Sequence, residues 1–137
     1  MTPSFGRICL IVLDSAGIIV WVADPVSNSL RAGMSFGYSD QVLARMGNIH
    51  RDANNAVAAA FRLGEMRMVD GDASTSGALV MPLLTSEGCI GALSAEMKGG
   101  SERDESSQAF AAIFAAQLAT LVAPPVAAAQ VKATAHA

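Results

Sequence analysis

From Ala109 to Ala123 the chain carries no charged residue, and only Gln117 and Thr120 interrupt its apolar course. Such a segment is too long for an ordinary strand and shorter than the roughly 20 residues a membrane-spanning helix needs, so it is expected to be a helix packed inside a domain. Pro124-Pro125 mark its end. Its start is read at "SERDES": Ser101 lies three residues before Asp104, a capping-box-like pair, and Glu102, Asp104 and Glu105 suit the positive end of a helix dipole. Phe110, Ile113, Phe114, Leu118, Leu121 and Val122 form a bulky stripe expected to lie on a sheet. Opposite them, Ala112, Ala115, Ala116 and Ala119, with Ala111, make a small-residue face suited to close approach by another helix, with a second copy of the chain as the expected partner.

The rest of the chain reads as strands and short helices. "RICLIVLDSAGIIVWVAD" is expected to be a hairpin, two β-branched runs turning at Asp14–Gly17. "PVSNSLRAGMSFGYS" lacks a period and reads as a loop with a short strand near Leu30. Ser39 is placed to cap a helix that Gly47 stops, and Asp52 to cap a second that Gly64 stops, the latter with Ala53, Ala56, Val57, Ala60 and Phe61 on one face. "MRMV" is a short strand, and "ALVMPLL" and "CIGALSAEM" form a second hairpin, in which Pro82 requires a bulge or an edge. The tail after Pro125, "VAAAQVKATAHA", carries no motif and is expected to be either mobile or a short terminal helix, which leaves residues 1–123 as one domain.

Composition excludes several functions. At 137 residues the chain can bury roughly two thirds of its unfolded surface and needs no metal or disulfide to fold. A net charge of -3 without a cluster of Lys and Arg argues against binding to a phosphate backbone, so no nucleic acid is expected as a partner. The N-terminus lacks the pattern of a secretory signal, and two cysteines in apolar runs read as thiols in a reducing, cytoplasmic compartment.

The order of elements, and above all "ALVMPLLTSEGCIGALSAEM" with its Ile90-Gly91-Ala92-Leu93 core, resembles the GAF domains. The resemblance runs over about residues 7–122 and is strongest after residue 77. It implies an α/β fold: a central antiparallel sheet of about five strands, a long C-terminal helix on one face, and short helices and loops over a cavity on the other. It also implies an N-terminal helix beside the C-terminal one. The hairpin reading leaves no room for that helix, so the alanine face is expected to be uncovered.

The resemblance brings possible chemistries, and the residues argue against each. Relatives that reduce free methionine sulfoxide use several cavity cysteines, whereas Cys9 and Cys89 fall in expected strands and no third exists. A bilin attachment needs a Cys with a nearby His, and only His50 and His136 are present. No nucleophile triad, metal-ligand spacing or phosphate loop is visible, so the chain is expected not to be an enzyme and no metal or cofactor is assigned. Candidate ligand contacts are Trp21 and Tyr38 for stacking, Arg51 as a charged anchor, Asn54 and Asn55 for a polar edge, and Thr75 and Ser76 on the 71–76 loop. The expectation is a non-catalytic regulatory domain that binds a small molecule or relays a signal through a dimerising C-terminal helix. The alternative is a ligand-free scaffold that associates with a signalling protein through the alanine face of helix 103–123. Neither involves a membrane.

Overall fold

The computed structural model describes residues 3–123, and the tail 124–137 lies outside the described residues. Six strands, β1 (Ser15–Asp24), β2 (Ser29–Phe36), β3 (Ile49–His50), β4 (Arg67–Val69), β5 (Gly77–Thr85) and β6 (Gly88–Met97), pair antiparallel throughout in the order β3-β2-β1-β6-β5-β4. Helices α1 (Pro3–Leu13) and α4 (Glu105–Val122) cover one face, and α2 (Asp40–Met46) and α3 (Ala56–Leu63) lie on the other.

The N-terminal segment corrects the sequence reading. "RICLIVL" is helix, not strand, and the first hairpin is β1 with β2 rather than residues 7–24. Cys9 and Leu13, four residues apart, are buried against Ile18, Val20, Leu93 and Ala115, while Ile8 and Ile11 point outward. That is a helical spacing; β-branched propensity pointed to a strand and tertiary packing overrode it. Asp14, at φ 56, ends the helix, its N–H donating to the Ile11 carbonyl at 3.2 Å. The glycine read as a hairpin turn, Gly17, is instead buried in β1 beneath the ring of Tyr38.

The phase of α4 is also corrected. Ser107, Ala111, Ala115, Leu118 and Ala119 face inward, whereas Phe110, Ile113 and Leu121 of the expected sheet-facing stripe are exposed. Alanines permit close approach to the sheet and to α1, and the bulkier residues take the outer face. The helix starts at Glu105, behind a single 3-10 turn, Ser101–Arg103, and Asp104 at its N-cap makes no side-chain capping bond. Glu102 is therefore not an exposed dipole partner. It is fully buried, and its Oε2 accepts from the Gly71 N–H at 3.3 Å.

Elsewhere the local signals hold. Ser39 Oγ accepts from the Val42 N–H at 3.2 Å, and Gly47 and Gly64 end their helices with φ of 64 and 65. The α3 cap is Asn55, accepting from the Ala58 N–H at 2.9 Å, not Asp52. β4 pairs with β5 only as far as Val80, so Pro82 has no neighbour on that side, and a register shift follows it at Leu83/Leu84.

Candidate functional site

That register shift shapes the site. On β6, Gly91 pairs with Leu83 and Cys89 with Leu84, so Ile90 is the extra residue of a bulge. Pairing of β6 with β1 runs only to Val22 and Gly91. Beyond that point the two central strands part, and a cleft of about 300 Å³ opens between them at the end of the sheet. Val22, Ile90, Phe61 of α3 and Val122 in the last turn of α4 supply apolar walls. Asp24, Asn28, Arg51 and Cys89 supply polar groups.

Each polar group is held by local structure. Asp24 closes the β1–β2 turn, accepting from the Val26 N–H and from Ser27 Oγ, both at 3.0 Å. Those bonds, the Val26 amide first, hold its carboxyl below the usual range. Asn28 takes the left-handed conformation at φ 57, and its carbonyl accepts from the Arg51 N–H at 3.1 Å. The Arg51 carbonyl in turn accepts from the Arg62 guanidinium at 2.6 Å. This leaves the Arg51 side chain over the Phe61 ring, 5.7 Å from its centroid. The Cys89 thiol donates to the Gly91 carbonyl at 3.2 Å, and burial is the main cause that pushes its pKa up.

The residues singled out in the sequence do not converge. Arg51 alone reaches the cleft. Trp21 is core, its indole N–H donating to Ser94 Oγ at 3.0 Å. Tyr38 packs at the edge of the same cluster against Gly17, so the two rings help fill the sheet face they were expected to offer a ligand. Asn54 is exposed at the approach to α3, and the Asn55 side chain is committed to the cap. Thr75 and Ser76 lie at the start of β5, opposite the far end of β6, roughly 25 Å along the sheet from Cys89 at the usual rise per residue. There Asp72 organises the loop, accepting from Ser74 N–H, Ser74 Oγ and Thr75 N–H at 2.8 to 2.9 Å. Of the alanine face, Ala115 and Ala119 are buried within the domain, and only Ala112 and Ala116 are exposed.

Asp24, Phe61, Ile90 and Val122, which line the cleft with Arg51, were not among the candidate contacts. The sequence read residues 25–39 as a loop, whereas a tight turn at Asp24–Ser27 leads into β2, and a bulge that separates two strands has no local signature. Among the described residues no group of three or more His, Cys, Asp or Glu could hold a metal ion. No described helix is long and apolar enough to cross a membrane.

No protein-family model matches the sequence, and no curated protein matches it significantly. Solved structures do match the fold. The GAF domain of an Acinetobacter phosphoenolpyruvate-protein phosphotransferase superposes with a TM-score of 0.74 at 13% identity, over 92% of this chain and 82% of that one. The GAF-B domain of DevS from Mycobacterium smegmatis gives 0.66 at 26% identity, over 93% and 92%. A free methionine-R-sulfoxide reductase from Neisseria meningitidis, in complex with its substrate, gives 0.66 at 20%, over 82% and 70%. The fold of this chain is that of a GAF domain, with the N-terminal helix in place.

Proposed function

We propose that this is a non-catalytic regulatory domain of an intracellular signalling pathway, which binds a small molecule in the β1/β6 cleft and passes its occupancy to α4. One observation carries this reading: the cleft is walled on one side by Arg51 and Phe61 and on the other by Val122, in the last turn of the C-terminal helix. A ligand there would touch both layers of the domain at the point where the sheet splits, and could bias the end of α4 directly. The methionine sulfoxide reductase neighbour does not move the reading toward catalysis. Burial raises the Cys9 pKa to about 11 and also raises that of Cys89, which disfavours the thiolate a redox nucleophile needs.

The test is native mass spectrometry of the protein purified from its own cells, with hydrogen exchange before and after the bound species is stripped. The expected result is a reproducible added mass whose removal speeds exchange at residues 118–122. A bare chain, or a bound mass that leaves α4 unaffected, would count against a sensor.

A second reading is favoured by the outer face of the α1/α4 layer. Ile8, Ile11, Phe110, Ile113 and Leu121 are 53%, 79%, 41%, 52% and 60% exposed on two helices that pack side by side. Apolar side chains in this number on one layer suit self-association or docking to a signalling protein. The association surface is then this bulky stripe, with Ala112 and Ala116 at its margin.

A further inference from the structure

The chemistry of the cleft narrows what it accepts, and we infer that its ligand is a small monocarboxylate with an apolar body, the carboxylate on Arg51 and the body against Phe61, Ile90 and Val122. The inference rests on the ligand-binding reading above and specifies it.

Arg51 is a prepared anchor. Its backbone is tied at both ends, by the Asn28 carbonyl and the Arg62 guanidinium, and its own guanidinium lies over an aromatic ring rather than in an ion pair. The ion pairs among the described residues are His50–Asp52 and Arg103–Asp70, and neither involves it. A planar guanidinium with free N–H groups matches a carboxylate bidentately. Pre-positioning lowers the ordering cost of that contact.

Asp24 limits the charge of the ligand. Both its oxygens already accept hydrogen bonds within the β1–β2 turn, and Arg31 acts on its charge, so it is a weaker partner for a ligand ammonium than a free carboxylate would be. A dianionic phosphate would bring a second negative charge, unbalanced by Arg51, into a cleft that Asp24 also lines. A single carboxylate matches Arg51, the one Lys or Arg that lines the cleft, with less of that repulsion. The walls from Phe61, Ile90 and Val122 reward apolar surface. About 300 Å³ is at the bottom of the size range of small-molecule sites, which suits a short-chain or single-ring acid.

The experiment titrates the full chain with hydrocinnamate, its neutral amide and phenyl phosphate, following amide resonances by NMR, and repeats the series with Arg51→Met. This variant keeps an apolar stem over Phe61 and lies at an exposed position, so the fold should persist. The expected result is that hydrocinnamate shifts Val22, Arg51 and Cys89 and binds at least about tenfold tighter than either comparison compound, a preference that Arg51→Met removes. If the amide binds as tightly as the acid, or the preference survives in the variant, the carboxylate assignment is overturned while the cleft remains a ligand site. Tighter binding of phenyl phosphate overturns the argument from Asp24. If no compound perturbs the cleft at millimolar concentration, the ligand-binding reading falls with it.

Discussion

At the residue scale, glycines show how one signal serves different ends. Gly91, the glycine of the Ile-Gly-Ala-Leu core, lies where a Cβ would overlap the Trp21 carbonyl oxygen in β1, and backbone in the centre of a sheet cannot yield. Gly17 lies where a Cβ would overlap the Tyr38 ring, a half-buried side chain at the edge of its cluster that can swing aside. Gly91→Ala is therefore expected to lower stability by about 3 kcal/mol or more and Gly17→Ala by about 1 kcal/mol, since overpacking is costly where nothing relaxes. Urea denaturation of both variants measures the difference, and equal costs would contradict the argument. Asp72 supplies a pH prediction. Its hydrogen bonds, the Ser74 amide first, lower its pKa from 3.8 to about 2. A depressed folded-state pKa means that the contribution is present above the unfolded value and is lost as pH falls through the folded one. Exchange protection at the Ser74 and Thr75 amides should therefore decline between about pH 4 and pH 2, and Asp72→Asn should remove that titration.

At the scale of the element, α4 is the instructive case. Its existence and C-terminal limit were legible in the sequence, because a charge-free run ended by Pro-Pro has few other solutions. Its phase was not. Side-chain size suggested that Phe110, Ile113 and Leu121 face the sheet, but the closeness of α1 and the sheet selects Ser107, three alanines and Leu118 for the inner face, with Phe114 and Val122 packed at its border. Ala115→Leu is expected to cost about 2 kcal/mol through overpacking, and Ala116→Leu, one position round the helix, to be nearly neutral. Thermal unfolding distinguishes them, and equal, small costs would restore the original phase, which set both alanines on the outer face. The start of α3 was misplaced for a related reason: Asp52 and Asn55 are equally good caps in isolation, and the chain from Arg51 to Ala53, tied back by Arg62, decides for Asn55.

At the scale of the whole molecule, the α1/α4 layer and the cleft meet at Val122, so a partner on that layer and a ligand in the cleft would act on the same helix end. If the exposed stripe is an interface, Ile113→Glu with Leu121→Glu should convert an associated form to monomer in sedimentation experiments while leaving thermal stability close to wild type. An unchanged sedimentation coefficient would discard that interface.

The sequence by itself determined the strand-rich second half, the β5/β6 hairpin and the accommodation of Pro82, because those depend on local periodicity, turn residues and a missing N–H, while the kinship in fold came from the resemblance of "ALVMPLLTSEGCIGALSAEM" to the GAF domains. It also named Arg51, the one charged anchor among the candidate contacts, which the structure places in the lining of the cleft. Only the tertiary structure decided that residues 8–13 are helical, which side of α4 faces inward, and where the cleft lies. Each of these depends on what packs opposite. "RICLIVL" is a good strand until a helical neighbour and a sheet face select Cys9 and Leu13. The cleft exists because one residue too many in β6 turns it away from β1, a fact of register between distant segments that neither segment carries alone.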